Sequence, residues 1–397
     1  MKIDCTHRCG TFLLLFISAA GFGQSQSGVK TDNLSDFRPR RELPNQELVG
    51  RQVCAGCHMQ KNRSQLQTAM AHALSLAADS RVLQSHPRLT FRSGVYAYEI
   101  TTEGQQVSYR VTDGKRTISE PVAYVFGNAH VAQTYILRHD GKLYEARVSY
   151  YTAIDNLDWT IGDALNPPPS LEAAFGRDIS GDEARNCFTC HGTGAVVDGK
   201  LQLDHLTPGV TCEACHGPGR GHVEAMHSGL GEGLSILNPR TLSPDTLSQE
   251  FCGACHRSAN TVGMMPDLGG ITNVRFQPYR LSGSPGHDPN DPHFACTACH
   301  DPHVDLPLQG ASADSKCADC HTPTATDSGS PSQTKQAASK QAASGKVAAS
   351  SPVAKPCPVA NANCDSCHMP RVEIPGTHFK FTDHRIRIVR PGTPYPL

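Results

Sequence analysis

The chain has 397 residues, with 36 lysines and arginines against 37 aspartates and glutamates, for a formal net charge of −1. That balance gives no basis for nucleic acid or an acidic membrane surface as a partner. Aromatic residues are only 6 %, whereas glycine and proline number 35 and 28, so loops are favoured and the chain by itself builds a thin core.

Residues 1–23 read as a secretory signal peptide. Lys2 and Arg8 give a basic start, an apolar run over 11–22 contains Leu13, Leu14, Leu15, Phe16 and Ile17, and the small residues Gly21 and Gly23 follow. The run is too short to span a bilayer as a stable helix. Cleavage is expected near Gly23, with Ala20 the other option and an uncleaved anchor the alternative. A polar stretch then runs to about Asn45.

A first segment, 46–88, opens with Cys54, Cys57 and His58. Residues 59–78 contain no glycine or proline and many helix formers, which predicts a helix. Met70 and His72 stand two positions apart on it, hence on nearly opposite faces. Residues 89–165 lack cysteine and alternate as strands do. Val107, Tyr109 and Val111 alternate with polar neighbours, and Asp113–Gly114 offers a hairpin turn. A second hairpin is predicted from 134–138 and 142–151 around Asp140–Gly141, with Tyr144, Ala146, Val148 and Tyr150 on one face. Together these predict a small antiparallel β domain inserted between helical segments.

Pro167–Pro168–Pro169 marks a boundary. Residues 166–322 then carry five copies of one cysteine motif and are expected to be short helices and loops. Residues 323–356 are rich in Ser, Ala, Thr, Lys and Pro and read as a flexible low-complexity linker. The last segment, 357–397, is tethered by it.

The motif is Cys-x-x-Cys-His, and it occurs seven times: Cys54–Cys57–His58, Cys187–Cys190–His191, Cys212–Cys215–His216, Cys252–Cys255–His256, Cys296–Cys299–His300, Cys317–Cys320–His321 and Cys364–Cys367–His368. These copies take 14 of the 17 cysteines. The pattern is the attachment signature of c-type haem, in which two thiols bond the porphyrin and the adjoining histidine ligates iron. Seven covalently attached haems c are therefore expected. A zinc site needs four closed ligands, and a thioredoxin-like pair needs a βαβ context and no histidine. Neither accounts for a histidine on every copy. Signal removal takes Cys5 and Cys9 with it and leaves Cys357 as the one cysteine outside a motif, either an idle thiol or an intermolecular link. Seven porphyrins would supply apolar mass that the chain lacks, so folding is expected to depend on them.

The ligand on the second face of each iron decides between electron transfer and substrate binding. Outside the motifs the exported chain has twelve histidines, enough for histidine on both faces of all seven irons. His222 follows His216 through a glycine-rich turn and is expected to reach a neighbouring iron; His303 follows His300 with the same logic. His205 and His293 lie just upstream of motifs, and His378 and His384 flank a short stretch of the tail in which Asp383 could accept a ligand's ring N–H. At the first site Met70 and His72 are alternatives. Methionine there would raise the potential relative to histidine.

Several stretches together resemble the multihaem cytochromes c of the cytochrome c-554 family, whose wider group includes hydroxylamine oxidoreductase and octahaem tetrathionate reductase. They are Val49–Gly50 ahead of the first motif, Cys212-Glu-Ala-Cys-His-Gly-Pro-Gly, Cys296-Thr-Ala-Cys-His-Asp-Pro-His, and Cys364-Asp-Ser-Cys-His-Met-Pro with Phe381-Thr-Asp-His-Arg-Ile. In the β region Tyr135-Ile-Leu, Asp140-Gly-Lys-Leu-Tyr and Tyr150–Tyr151 add to it. The resemblance covers most of 47–390. It implies paired, stacked haems, periplasmic electron transfer, and His222, His303 and His384 as distal ligands. Departures are Met70 where many relatives have histidine, the long linker, and the lack of a tetratricopeptide extension. No motif carries the lysine found at the catalytic haem of pentahaem nitrite reductases.

The expected fold class is thus a multihaem cytochrome of short α-helices and loops wrapped around haems, with one inserted small β domain. The expected function is periplasmic electron transfer between a donor and an acceptor protein. The alternatives are an oxidoreductase acting on a small nitrogen or sulfur compound at one open-faced haem, and a subunit of a cytochrome polymer or membrane complex.

Overall fold

Where the cysteines stop, alternation builds a sheet. The computed structural model describes residues 47–162, 166–229, 236–306, 313–318, 321, 362–390, 392, 393 and 395. The stretches read as a signal peptide (1–23) and a linker (323–356), together with Cys320 and Cys357, lie outside the described residues. Val107, Tyr109 and Val111 are buried, while the residues between them are accessible. They lie on β4 of an antiparallel meander: β2 (Arg88–Ser93), β3 (Tyr96–Glu103), β4 (Gln106–Thr112), β5 (Thr117–Phe126), β6 (Ala132–His139), β7 (Lys142–Tyr151) and β8 (Asn156–Trp159). The β6–β7 turn places Asp140 and Gly141 at φ 48° and 75°, the left-handed pair that a tight hairpin requires.

The sheet is larger than a small insert. A preceding strand, β1 (Leu74–Leu76), pairs with β5, and a following one, β9 (Gly176–Asp178), pairs with β7, giving nine strands. Phe91 of β2 meets Trp159 of β8 with ring centres 5.1 Å apart, so the meander curls until its first and last strands face each other. Its central strands are buried on both faces. Tyr135 and Leu137 of β6 join one core with Tyr98, Tyr109, Val148 and Phe175. Ile136 between them joins a second core with Tyr124, Phe126 and Phe188. An unbroken apolar run is what a strand covered on both sides needs.

The helix predicted over 59–78 ends early. Helices cover Arg51–Cys57 and Met59–Gln65, after which the chain turns and enters β1. Competing hydrogen bonds take the backbone that would have continued the helix. The Met70 carbonyl accepts from Val210 N at 3.0 Å, and that of Ala73 accepts from Gly127 N at 2.9 Å. Gly209, at φ +76°, packs so closely that a Cβ would stand 2.0 Å from the Ala71 oxygen. Tertiary contact here overrides a propensity worth only tenths of a kcal/mol per residue, ~0.7 at most for ordinary residues.

Beyond the sheet the chain forms short helices, two-residue ladders and a terminal hairpin of Arg371–Glu373 with Lys380–Thr382. Two tyrosines in the first core test its polar accounting. The Tyr109 hydroxyl donates to Phe175 O at 3.0 Å, whereas that of Tyr135, fully buried, meets no acceptor among the described residues. Tyr109→Phe should lower stability by about 1 kcal/mol, and Tyr135→Phe should leave it unchanged or raise it by a similar amount. Opposite shifts of the urea midpoint, followed by far-ultraviolet circular dichroism, are the expected readout.

Candidate haem sites

On a helix, positions i, i+3 and i+4 share one face. Cys-x-x-Cys-His therefore presents two thiols and an imidazole on one side of a single turn. Most of the motifs stand on such turns: Arg51–Cys57, Asp182–His191, Cys212–His216, Gly253–His256, Cys296–Cys299 and Cys364–His368. The Asp182–His191 helix is fixed to the second face of the sheet. Phe188 packs edge-on against Tyr124 and Phe126 at 5.1 and 5.2 Å, and the His191 ring lies on Phe126 at 4.8 Å.

Three motif histidines face a histidine from another part of the chain. His58 faces His222 with ring centres 6.4 Å apart and planes 22° apart. His216 faces His303 at 6.0 Å and 20°, and His300 faces His384 at 6.3 Å and 41°. Two metal–imidazole bonds of about 2 Å, with each ring centre roughly 1.1 Å behind its nitrogen, together span about 6 Å. The three pairs have the separation of two imidazoles binding one metal from opposite faces, and so fit haem iron.

The ring nitrogens are sorted to match. His191 Nδ1 is hydrogen-bonded to Ala73 O and His216 Nδ1 to Leu237 O, both at 2.9 Å. His384 Nδ1 is bonded to Thr382 O and His303 Nδ1 to Asp301 Oδ1, both at 3.0 Å. Anchoring Nδ1 orients the ring and leaves Nε2 for a metal. Burial pushes the imidazoles of His191, His216, His256 and His300 below the ordinary range and that of His384 down to about 4, which keeps the rings in the neutral, ligating form.

The motif helices also meet one another. The segment carrying Cys54 packs against that carrying Cys212, the Cys252 segment against the Cys296 segment, and the Cys364 helix against the Cys317 helix, which brings these thiols close to one another. In each contact both members are the first cysteine of their motif. Glu213, buried inside the Cys212–His216 motif, accepts from Val49 N, Gly50 N and Gly219 N, each at 2.9 Å. It ties the approach to the first motif onto the third.

By sequence Asp383 could accept a ligand's ring N–H, but in the structure arginine side chains and a backbone N–H take its carboxylate. Asp383 is buried and accepts from Arg280 Nε and a second guanidinium nitrogen at 2.8 and 2.9 Å, from Arg387 at 2.7 Å and from Arg385 N at 3.0 Å. This bidentate pair clamps the tail beside His384. Arg280 also lies over the Tyr395 ring at 4.7 Å.

The remaining candidates are placed differently. His72 is exposed with Nε2 on Leu66 O at 2.9 Å, and the Met70 side chain is half-buried in the same turn. The Nε2 of His378 is taken by Asp158 at 2.8 Å. His205 is exposed in a 3-10 turn. His293 is exposed with Nδ1 on Asp291 at 2.7 Å. His321 and His368 face no second histidine among the described residues. His86 and His139 have both ring nitrogens engaged by protein groups. Asp301 and Glu213 went unread in sequence. A signal for the first was present, since Asp-Pro-His occurs twice, at 291–293 and 301–303. Among the described residues none of the cysteines is disulfide-bonded, and no three His, Cys, Asp or Glu side chains converge as a closed zinc site demands.

Residues 170–217, which hold the second and third motifs, match the family described as cytochrome c554 and c-prime. That stretch is similar to c-type cytochrome sequence, a class that binds haem c covalently. No curated protein matches the chain. Among solved structures, the crystal structure of the outer cell wall cytochrome OcwA is similar over 53 % of this chain and 37 % of that one, at 16 % identity and a TM-score of 0.30. This chain thus spans little more than a third of that protein's length. Among the described residues no helix is long and apolar enough to cross a membrane.

Because removing one partner of a buried ion pair strands the other, Asp383→Ala should cost about 3–5 kcal/mol of tail docking. Limited proteolysis of the haem-loaded protein should then cut between residues 322 and 390 faster than in wild type.

Proposed function

We propose that the chain is a periplasmic heptahaem c-type cytochrome that carries electrons between a donor and an acceptor protein. The observation that carries the reading is the spacing of the three histidine pairs, 6.0 to 6.4 Å, in rings whose partner comes from a different motif segment. Haem c bound at these sites would supply one-electron chemistry through its iron. Cys54, Cys57, His58 and His222 would hold one; Cys212, Cys215, His216 and His303 a second; Cys296, Cys299, His300 and His384 a third. With both faces of each metal taken, these sites bind no substrate, which favours transfer over catalysis.

The protein's own groups hold the sites together. The loop from His216 to His222 serves two sites at once, as does that from His300 to His303. The contacts between motif segments bring the first and third, fourth and fifth, and sixth and seventh motifs side by side, which supports an arrangement in pairs. Ala254 O stands 4.0 Å from Cys190 Sγ and adds a link between the second and fourth. Backbone carbonyls and Glu213 fix ring orientation and segment approach, so oxidation and reduction would proceed with little rearrangement of the chain.

Mass spectrometry of the exported protein should find seven thioether-bound haems and a start near residue 24. His222→Ala, His303→Ala and His384→Ala should each convert one iron from low-spin to high-spin in electron paramagnetic resonance, and His72→Ala and His378→Ala should convert none. Fewer haems, or low-spin iron throughout in the first three variants, would reject the assignment. A high-spin iron in the wild type that binds cyanide would favour an oxidoreductase with one open-faced haem.

A further inference from the structure

We propose that Asp301 is a positioning residue that sets the site of Cys212, Cys215 and His216 at a lower reduction potential than its neighbour at Cys54, Cys57 and His58. The proposal rests on the reading of His303 and His222 as the second ligands of these two sites. In the turn Asp301–Pro302–His303, one carboxylate oxygen accepts from both the backbone N–H of His303, at 2.9 Å, and its ring Nδ1–H, at 3.0 Å. The ring is held by its own turn, its Nε2 has no hydrogen-bond partner among the described residues, and it faces His216 at 6.0 Å.

This anchor differs from the others in charge. His191, His216 and His384 rest on backbone carbonyls, which are neutral. His222 has its Nδ1 buried with no hydrogen-bond partner among the described residues. A carboxylate on Nδ1–H raises the basicity of Nε2 and adds negative charge behind the ring. Ferric iron carries one more positive charge than ferrous iron, so the carboxylate favours the ferric state and lowers the potential. Lys61 Nζ stands 3.4 Å from the other carboxylate oxygen, but both groups are substantially exposed, and such a pair is weak and screened by salt. Lys61 therefore offsets only part of the charge that the carboxylate places behind His303. Because Glu213 inside the third motif binds Val49 N and Gly50 N ahead of the first, and the two motif helices pack together, the two sites form an adjacent pair of unequal potential, with an added electron resting on the first.

The test is spectropotentiometry of the haem-loaded protein with Asp301→Asn, which keeps an acceptor for Nδ1–H and removes the charge. One midpoint should rise enough to change the ferric-to-ferrous ratio of that site about tenfold at fixed potential, or about 59 mV for a one-electron couple. The other midpoints should stay, and every low-spin signal should persist. Unmoved midpoints would overturn the proposal, as would loss of a low-spin signal, since Asp301 would then be merely structural. His303→Ala separates the two layers. If it leaves every iron low-spin, the ligand reading of His303 fails; if it yields one high-spin iron while Asp301→Asn leaves the midpoints alone, only the role of Asp301 fails.

Discussion

Histidine pairing between neighbouring segments is the constraint on which the rest of the molecule turns. His222 lies six positions beyond His216 and faces His58; His303 lies three positions beyond His300 and faces His216. A fully extended chain spans at most ~3.3–3.6 Å per residue, so these connections reach no more than about 20 Å and 10 Å. Adjacent sites are thus held close by covalent backbone. A chain built this way has no need of a large independent core to set the spacing of the candidate sites, which suits its low aromatic content.

The sheet supplies rigidity that the loops lack. Its first core is self-sufficient, with Tyr98, Tyr109, Tyr135 and Trp159 filling the curl of the meander. Its second face is not spare surface. Tyr124, Phe126 and Ile136 receive Phe188, and Phe126 carries the His191 ring. The Ala73 carbonyl that anchors His191 Nδ1 also accepts from Gly127, just past the end of β5. The β region is therefore part of the wall of the second site, and its continuous apolar strands follow from serving two cores at once.

Much of this was legible in sequence because it is local. The motif is local chemistry, and the β6–β7 hairpin follows from alternation and an Asp–Gly turn. The reach of His222 and His303 toward neighbours follows from a few intervening residues. What escaped is long-range. Nothing near residue 70 signals that Val210 will take the Met70 carbonyl and stop a helix that composition favours. Nothing near His378 signals that Asp158, 220 positions away, will occupy its Nε2. By sequence Asp383 offers an acceptor to a ligand's ring N–H, yet its partner is Arg280, 103 positions upstream. The repeated Asp-Pro-His turn is the opposite case, a local signal visible in the sequence whose meaning emerged only once the opposing ring was in place.

The Arg280–Asp383 pair explains how a tail that follows a long low-complexity stretch delivers a histidine with the accuracy a metal site requires. Loop closure cost grows only slowly with length, about 0.6 kcal/mol per doubling, so a separation of 103 positions adds little over a shorter one. Desolvating the two charges is the larger cost, and apolar residues of similar volume could dock a tail at least as strongly. Apolar contact has no direction, however, whereas a bidentate guanidinium–carboxylate pair fixes both position and orientation. Arg387 and the backbone N–H of Arg385 fill the remaining capacity of Asp383, and Arg385 and Ile386 bind Gly283 O and Ser284 Oγ, each at 2.9 Å. The tail is thereby registered residue by residue on the 280–284 segment. His384, the residue after the clamp, is carried to His300 by that register rather than by its own affinity for the site.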